Sequence, residues 1–469
     1  MRCSTSTASE GTNDKRRNGG AVFRGERPSP RAVTHTVHRN WLPFRQNRLA
    51  RNTIALYAAF VANTVVPLIT VPYTVRVLTP AGYGSGAFAL SLAGLAGVVA
   101  AYGFGLTASR EISVNRESIE AVSRIASEVI SVELLLLTVC LVAFGISVAL
   151  IARLHAVAAD AWIAFLAVAF GTLNPGWLYQ GMEELQFSAR VGVLLRLAYV
   201  PALFLFVRKP GDTAVWLGLQ AATAGLGSIW LWTHARRSLG VRWVLPRWQG
   251  IAHQLRQGFT IFFSQSAVAL YTSGNVFILG MLTNMTVAGY YSAAERLVKI
   301  AMGAWGPLQQ AVFPRASRLA SQSREAALRL AGRMLLLQGG LGAVLSGVLL
   351  AAGPWLVPVA FGRPFAPSIA VLQILSVLPF VIAVSNVLGI QVMVPFKRDR
   401  AFAMVLVTAG LFNVGLSLLL VPRWQASGMA LSVAGSECLV TACMFVYLWR
   451  HRLAPSMNPP SEVVEAVHV

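Results

Sequence analysis

The sequence predicts an all-α, polytopic membrane protein, and three observations lead to that fold class. Of the 469 residues, 55% are hydrophobic and 12% are charged, whereas soluble domains carry about 25% charged residues. The mean hydropathy is +0.61. Uncharged stretches recur along the chain, and a helix needs about 20 apolar residues to cross the hydrocarbon core of a bilayer. Together these observations predict about twelve transmembrane helices and exclude a water-soluble fold.

Eight uncharged stretches each predict one span, or a span with a short loop. They comprise residues 52–75, 77–109, 134–152, 161–182, 213–233, 334–362, 364–396 and 401–422. Four further spans contain charged residues or need a turn to separate them. They comprise residues 191–207 with Arg196, 257–282, 287–312, and 424–449 with Glu437. Residues 283–286 are the expected tight loop between two of these spans.

Positive charge predicts the orientation, because short cytoplasmic loops retain Lys and Arg. Most of the loop Lys and Arg residues lie at 110–124, 236–256, 315–333 and 397–400, which places these loops and both termini in the cytoplasm. The expected domains are a disordered, basic cytoplasmic tail (1–48), an N-terminal six-helix lobe (49–235), a cytoplasmic inter-lobe linker (236–254), a C-terminal six-helix lobe (255–450) and a cytoplasmic tail (451–469).

Charge and motifs exclude several function classes. The net charge is +21, but the basic tail and the inner loops account for it, so the sequence predicts contact with membrane lipid and no nucleic-acid binding. The four cysteines show no disulfide or metal spacing. The chain also lacks a phosphate-binding Gly-rich loop followed by Gly-Lys-Ser/Thr and a pair of histidines on one helix. We therefore expect no enzyme, no cofactor and no metal site.

The two halves of the sequence resemble each other. AGYGSGAFAL at 81–90 matches AGYYSAAERL at 288–297, and ASREISVNRES from Ala108 matches ASRLASQSRE from Ala316. A third match pairs the segment from Asn174 with the segment from Asn386. The matches keep their order and nearly constant spacing. They predict two six-helix lobes related by a parallel internal repeat, an organisation typical of transporters with the substrate path between the halves.

Several segments carry a resemblance to a known family. They are Val71-Pro-Tyr-Thr-Val-Arg-Val-Leu followed by Ala-Gly-Tyr-Gly, NPGWLYQGMEE from Asn174, LYTSGNVFILG from Leu270, FPRASRLAS from Phe313, and Asn413 followed by Ser436-Glu437. In their order and spacing they resemble the polysaccharide transport family of the multidrug/oligosaccharidyl-lipid/polysaccharide exporter superfamily. The likeness covers about residues 47 to 450, nearly the whole chain outside the tails.

The resemblance implies a flippase that moves undecaprenyl-diphosphate-linked oligosaccharide across the bacterial cytoplasmic (inner) membrane, for O-antigen, capsule or exopolysaccharide synthesis. A polysaccharide polymerase and its chain-length machinery are then candidate partners. Two residues depart from the family pattern. Thr79 stands where the family usually has glycine, and Asn275 stands where it often has aspartate, so the resemblance does not carry an ion-coupling carboxylate to position 275.

The diphosphate and sugar hydroxyls of such a substrate need cationic and polar donors within the membrane, where ionisable groups are costly and rarely face lipid. Arginine suits phosphate because its planar fork donates two charge-assisted hydrogen bonds. The substrate-path candidates are Arg76, Arg196, Arg296, Lys299, Asn63, Asn275 and Asn413, and the ion-coupling candidates are Glu133, Glu295 and Glu437.

Several candidates also have a structural alternative. Arg196 can pair with a neighbouring acid. The asparagines can tie helices together, and for them this alternative is favoured. A protonated or hydrogen-bonded carboxyl group at Glu133 or Glu437 can simply join two helices, and for these two glutamates that alternative is favoured.

One local contact follows from spacing. Glu295 and Lys299 are four residues apart, which suits an ion pair along a helix. Arg296 then points about 100° away from Glu295 as the uncompensated cation, available to a cavity between the lobes.

Three other functions stay open on the sequence alone. A drug or cation antiporter of the same superfamily would share the repeat, but the excess of cations within or beside the spans fits an anionic diphosphate better. A membrane polysaccharide polymerase or lipid-sugar glycosyltransferase would need large outer loops with acids, whereas the predicted outer loops are short and residues 77–82 contain no carboxylate. The sequence does not exclude a scaffold without transport activity.

Overall fold

The computed structural model describes the backbone of residues 42–303, 305–453 and 455, and every regular element in these residues is helical. The chain divides into two units, residues 1–49 and residues 50–469, and the cavities described below lie in the second unit. Residues 1–41 of the predicted tail at 1–48 lie outside the described residues. Almost all of the predicted tail at 451–469 also lies outside them.

Eight α-helices form the first half of the chain. They are α1 (Leu42–Ala101), α2 (Phe104–Asn115), α3 (Ile119–Leu150), α4 (Ala152–His155), α5 (Ala158–Thr172), α6 (Gly176–Gly181), α7 (Leu185–Phe206) and α8 (Thr213–Arg237). An irregular linker joins α8 to the second half.

The second half contains eight more α-helices, a short 3₁₀ helix and a π-helical segment. They are α9 (Trp248–Thr272), α10 (Gly274–Leu282), α11 (Met285–Met302), α12 (Trp305–Gln322), α13 (Arg324–Phe361), the 3₁₀ helix Arg363–Phe365, α14 (Ser368–Leu375), α15 (Leu378–Asn386), the π segment Val387–Met393 and α16 (Asp399–Arg450). The loop expected at 283–286 is shorter than predicted, because α11 already begins at Met285. The Asn284 side chain caps this helix by accepting a hydrogen bond from the Val287 N–H at 3.0 Å.

Eight stretches of the described chain are long and apolar enough to cross a membrane. They are Val61–Asn115, Ile119–Leu150, Ala158–Gly181, Leu185–Phe206, Thr213–Arg237, Arg324–Phe361, Ser368–Met393 and Asp399–Arg450. This finding confirms the prediction of a helical, multi-pass membrane protein. The number of twelve spans, the domain boundaries and the orientation stay predictions.

The first stretch, of 55 residues, is interrupted at Thr79. Thr79 adopts φ 62° and ψ 168°, a conformation that favours glycine, and the following Pro80 disfavours a helical residue before it. Asn63 and Gly94, on opposite sides of Thr79, line one cavity, whereas a straight helix would separate them by roughly 46 Å. The helix α1 therefore folds back into two arms, and Thr79, one of the two residues that depart from the family pattern, lies at the reversal.

The helix α16, of 52 residues, also reverses. Gln425 adopts φ 47° and ψ −122° inside it. Residues before and after Gln425 are in contact. The Ser417 hydroxyl contacts the Met429 sulfur at 3.5 Å, and a Cβ on Gly428 would overlap the Leu420 carbonyl group. Because residues eight to twelve positions apart touch, α16 is an antiparallel hairpin of two helical arms.

The matching AGY segments of the two halves pack directly against each other. A Cβ on Gly84 would overlap the Met285 carbonyl oxygen, and a Cβ on Gly289 would overlap the Pro80 carbonyl oxygen. Farther along, the Phe88 ring stacks on Phe277 with centroids 5.6 Å apart. The second arm of α1 therefore packs on α10 and α11, and glycine allows the helix backbones to approach closely.

Replacing Gly289 by Ala should destabilise the protein, because the added methyl group has no space against Pro80. We expect a loss of about 1–3 kcal/mol, the usual cost of overpacking, measured as a lowered free energy of unfolding in detergent micelles. The matched control is Gly415→Ala in α16, where a Cβ meets nothing within 4 Å. Equal stability of the two variants would contradict the close backbone contact.

Candidate functional site

A cavity of about 960 Å³ lies among helices of the first half and the first helices of the second half. Its wall combines both arms of α1 with α7, α8 and α11. It reaches Leu231, near the end of α8, and Leu185, at the start of α7. At the other end of α8, Trp216 stacks on Tyr83 with centroids 5.5 Å apart, and both side chains are buried. The cavity therefore extends toward the end of the molecule where α8 meets the linker, and aromatic rings close it at the opposite end.

The cavity wall is positively charged. Among the described residues, the charged side chains of the wall are Arg196 from α7 and Glu295, Arg296 and Lys299 from α11. Three cations thus share the wall with one carboxylate. Because these groups lie on predicted membrane-spanning helices, their orientation toward a cavity avoids the cost of facing lipid.

Glu295 is held by side chains one helical turn away on each side. The Lys299 ammonium lies 3.0 Å from Glu295 Oε2, and the Tyr291 hydroxyl donates a hydrogen bond to Oε1 at 3.3 Å. The Glu295 side chain is 14% exposed and that of Lys299 is 51% exposed. The ion pair predicted from the i,i+4 spacing is confirmed. The Glu295 carboxylate of the wall is therefore already paired with Lys299.

Two arginines of the wall have no carboxylate partner among the residues that the structure describes. Neither Arg196 nor Arg296 makes an ion pair within the described part of the chain. Arg296 is close enough to Tyr83 and Tyr199 to interact with them electrostatically. The Arg196 guanidinium lies back over Gly192, one turn earlier, at 3.4 Å from the position a Cβ would take there. Both guanidinium groups therefore remain available to an anion in the cavity.

Neutral hydrogen-bonding groups complete the wall. Asn63 lies on the first arm of α1 and is exposed to the cavity. The Nε2 of Gln220, on α8, is buried and has no partner among the described residues. By contrast, the hydroxyl groups of Thr70 and Thr74 donate to carbonyls of their own helix at 2.9 and 2.7 Å. The side-chain amides of Asn63 and Gln220 are therefore better placed than these hydroxyl groups to donate hydrogen bonds to a polar ligand.

Three of the substrate-path candidates lie outside the cavity wall. Asn275 is buried behind it, where its side chain interacts with the Tyr291 hydroxyl. Asn413 is buried in the first arm of α16. Arg76 donates instead to the carbonyl of Val359, near the end of α13. The last four carbonyls of a helix have no partner within it, so Arg76 caps a helix of the other half.

The ion-coupling candidates separate in the same way. Glu295 lines the cavity, whereas Glu133 is buried in α3 beside Trp177, and Glu437 lies on the second arm of α16. Neither Glu133 nor Glu437 contributes to the wall.

A second arginine also joins the two halves near the aromatic end of the cavity. Arg153 Nη1 donates to the carbonyls of Met281 at 2.5 Å and Thr283 at 2.7 Å, at the end of α10. Together with Arg76, this arginine gives a second place where a cation of the first half meets a helix C-terminus of the second half. A cation is favourable there because the carbonyl ends carry partial negative charge.

Sequence reasoning missed Tyr83, Trp216 and Gln220 as cavity residues. Tyr83 lies inside the AGY segment that identified the repeat, so the sequence signal was present but indicated duplication rather than a cavity wall. The other two are single residues within an apolar span, and nothing in their spacing along α8 marks which face turns toward the cavity.

Comparison with known proteins assigns the chain to a family. The model of the family described as "Polysaccharide biosynthesis protein" matches residues 49–320, more than half of the chain. The chain belongs to this family. A curated relative from Escherichia coli (strain K12), named "Putative O-antigen transporter", is 30% identical over 408 residues, which cover 86% of this chain and 98% of the relative. The family resemblance seen in the sequence is confirmed.

Two solved structures share the fold of this polysaccharide biosynthesis family member. The lipid II flippase MurJ, in an inward closed conformation, gives a TM-score of 0.64 at 11% identity and covers 85% of this chain and 87% of its own. An inward-facing multidrug resistance MATE family transporter of the MOP superfamily gives 0.64 at 12% identity, with coverages of 86% and 98%. At these identities the likeness establishes the fold alone. Because its relatives are named as transporters, the family member is a membrane transporter and not an enzyme.

The pair between Glu295 and Lys299 gives the first prediction for this site. Glu295→Gln and Lys299→Gln should each destabilise the transporter, because each leaves one charge without its partner. The double variant should lose less than the sum of the two, with a coupling energy of about 0.5 kcal/mol or more. Free energies of unfolding in mixed micelles measure the cycle. Additivity within about 0.3 kcal/mol would contradict an energetic role for the pair.

Proposed function

We propose that this family member is a flippase for undecaprenyl-diphosphate-linked oligosaccharide repeat units. It would move them across the bacterial cytoplasmic membrane by alternating access, for the synthesis of a surface polysaccharide such as O-antigen. The name of the Escherichia coli relative supports the substrate class. A polysaccharide polymerase and its chain-length machinery would act on the translocated units.

Two guanidinium groups that make no ion pair within the described part of the chain share one cavity, and this geometry supports the proposal. Arg196 and Arg296 come from different halves of the chain, and the Glu295 carboxylate beside them is already paired. A diphosphate offers several oxygens to two guanidinium forks, and charge-assisted hydrogen bonds of this kind are shorter and stronger than neutral ones. The amides of Asn63 and Gln220 supply donors for sugar hydroxyls in the same space.

The same charges argue against an antiporter for organic cations. A cationic cargo is favoured by a carboxylate that is free to pair with it in the cavity. Among the described residues, the carboxylate of the wall is Glu295, which Lys299 already neutralises at 3.0 Å. Transport of a cationic drug would therefore have to overcome the repulsion of Arg196 and Arg296.

The contacts between the halves support a rocking mechanism. The second arm of α1 packs on α10 and α11 through Gly84 and Gly289, and Arg76 and Arg153 bind helix ends of the second half. These contacts lie at the aromatic end of the cavity, so they would separate when the cavity opens on that side. By the distribution of positive charge, the opposite end faces the cytoplasm.

Arg196→Ala and Arg296→Gln should each reduce export by about tenfold or more, since each removes charge-assisted bonds to the diphosphate. Arg196→Lys should retain part of the activity because the charge remains. The measurement is surface polysaccharide in a strain that lacks its own transporter, normalised to the amount of variant in the membrane. Lipid-linked repeat units should accumulate inside the cells that carry the inactive variants.

Arg190→Ala is the matched control. Arg190 is an exposed arginine on the same helix α7 and lies outside the cavity wall. Its loss should leave export unchanged. The proposal fails if Arg196→Ala and Arg296→Gln both export normally, or if Arg190→Ala is as defective as they are.

A further inference from the structure

A second cavity, of about 890 Å³, lies between the start of α3 and the linker that joins α8 to α9. It is separate from the cavity described above, and none of its lining residues belongs to that wall. The linker residues Ser238–Arg247 form one side, and the α3 residues Ile119–Glu128 form the other. Under the predicted topology this end of the molecule faces the cytoplasm.

The linker is fixed on α3 by hydrogen bonds. The Arg242 N–H donates to Ser123 Oγ at 3.0 Å, and the Val244 N–H donates to Ser127 Oγ at 2.9 Å. Both serine side chains are buried, and they are one helical turn apart. An extended segment attached at two consecutive points holds its side chains in defined places, so the linker cavity is a built feature rather than a loose loop.

Arginines dominate the charge of the linker cavity. Its cationic lining residues are Arg124, Arg237, Arg242 and Arg247. All four are exposed, and none makes an ion pair among the described residues. The cavity also contains the carboxylates of Glu120 and Glu128, and the buried Glu128 accepts a bond from Gln254 Nε2 at 3.4 Å. The four guanidinium groups outnumber the two carboxylates, so the lining of the cavity carries an excess of positive charge.

The same segment exposes large apolar side chains. Trp243 is 54% exposed, Leu245 is 85% exposed and Trp248, at the start of α9, is 72% exposed. In water such exposure is unfavourable. At the boundary between lipid head groups and acyl chains it is favourable, and tryptophan is enriched there.

We infer that the linker cavity binds the head group of an anionic phospholipid. The arginines around the cavity bind the phosphate and any further negative charge of the head group, while Trp243, Leu245 and Trp248 lie in the adjacent lipid. Arginine recognises phosphate through paired hydrogen bonds, and a cluster of basic residues beside a membrane attracts anionic lipid. This site does not depend on the proposed transport substrate.

Native mass spectrometry of the full chain in detergent micelles tests the assignment. The probes are phosphatidylglycerol, phosphatidylcholine with the same acyl chains, and inorganic phosphate. We expect phosphatidylglycerol to bind more tightly than phosphatidylcholine, and inorganic phosphate to compete only weakly. The double variant Arg242→Gln/Arg247→Gln should weaken phosphatidylglycerol binding by about tenfold or more, because two charge-assisted contacts are lost.

The control is Arg236→Gln/Arg256→Gln, which removes the same charge from two exposed arginines that do not line the cavity. This variant should bind phosphatidylglycerol as the unchanged protein does, and equal melting temperatures would show that both variants fold. An equal loss of binding in the control would mean general attraction to positive charge and overturn the site. So would unchanged binding in Arg242→Gln/Arg247→Gln. Displacement of the lipid by equimolar inorganic phosphate would overturn the lipid assignment.

Discussion

The arrangement of polar residues in this protein depends on the free-energy cost of placing guanidinium groups between apolar helices. An arginine near the middle of a membrane-spanning helix is tolerated when it faces a polar cavity or a partner, and Arg196 and Arg296 face the same cavity. The surrounding structure is consistent with that requirement. Lys299 pairs with Glu295 one turn away, so the two arginines keep their charge free for a ligand, and polar side chains from several helices share the space.

The contacts that join the halves explain why this cavity closes at one end. Gly84 and Gly289 allow two backbones to touch, and Arg76 and Arg153 bind carbonyl groups that the helices themselves leave unpaired. These interactions are local and made largely with backbone carbonyls.

Much of the fold could be predicted from the sequence, because hydropathy and helical spacing are local properties. The membrane class follows from apolar stretches, and the Glu295–Lys299 pair follows from a four-residue interval. Positions that depend on how distant helices meet could not be predicted. Asn275 and Arg296 are both polar residues within spans, yet one lies behind the cavity wall and the other within it. The repeat located two related segments, but it gave no reason to expect that Gly84 and Gly289 pack against the partner segment.

We propose that the cavity binds an anionic lipid diphosphate and that the protein carries this lipid across the membrane. Translocation of a fluorescent polyprenyl-diphosphate-linked oligosaccharide by the purified protein in liposomes tests it most directly. We expect the unchanged protein to move this lipid and the double variant Arg196→Ala/Arg296→Gln not to move it. Neither protein should move a cationic drug. Movement of the cationic drug without movement of the lipid-linked oligosaccharide would contradict this proposal.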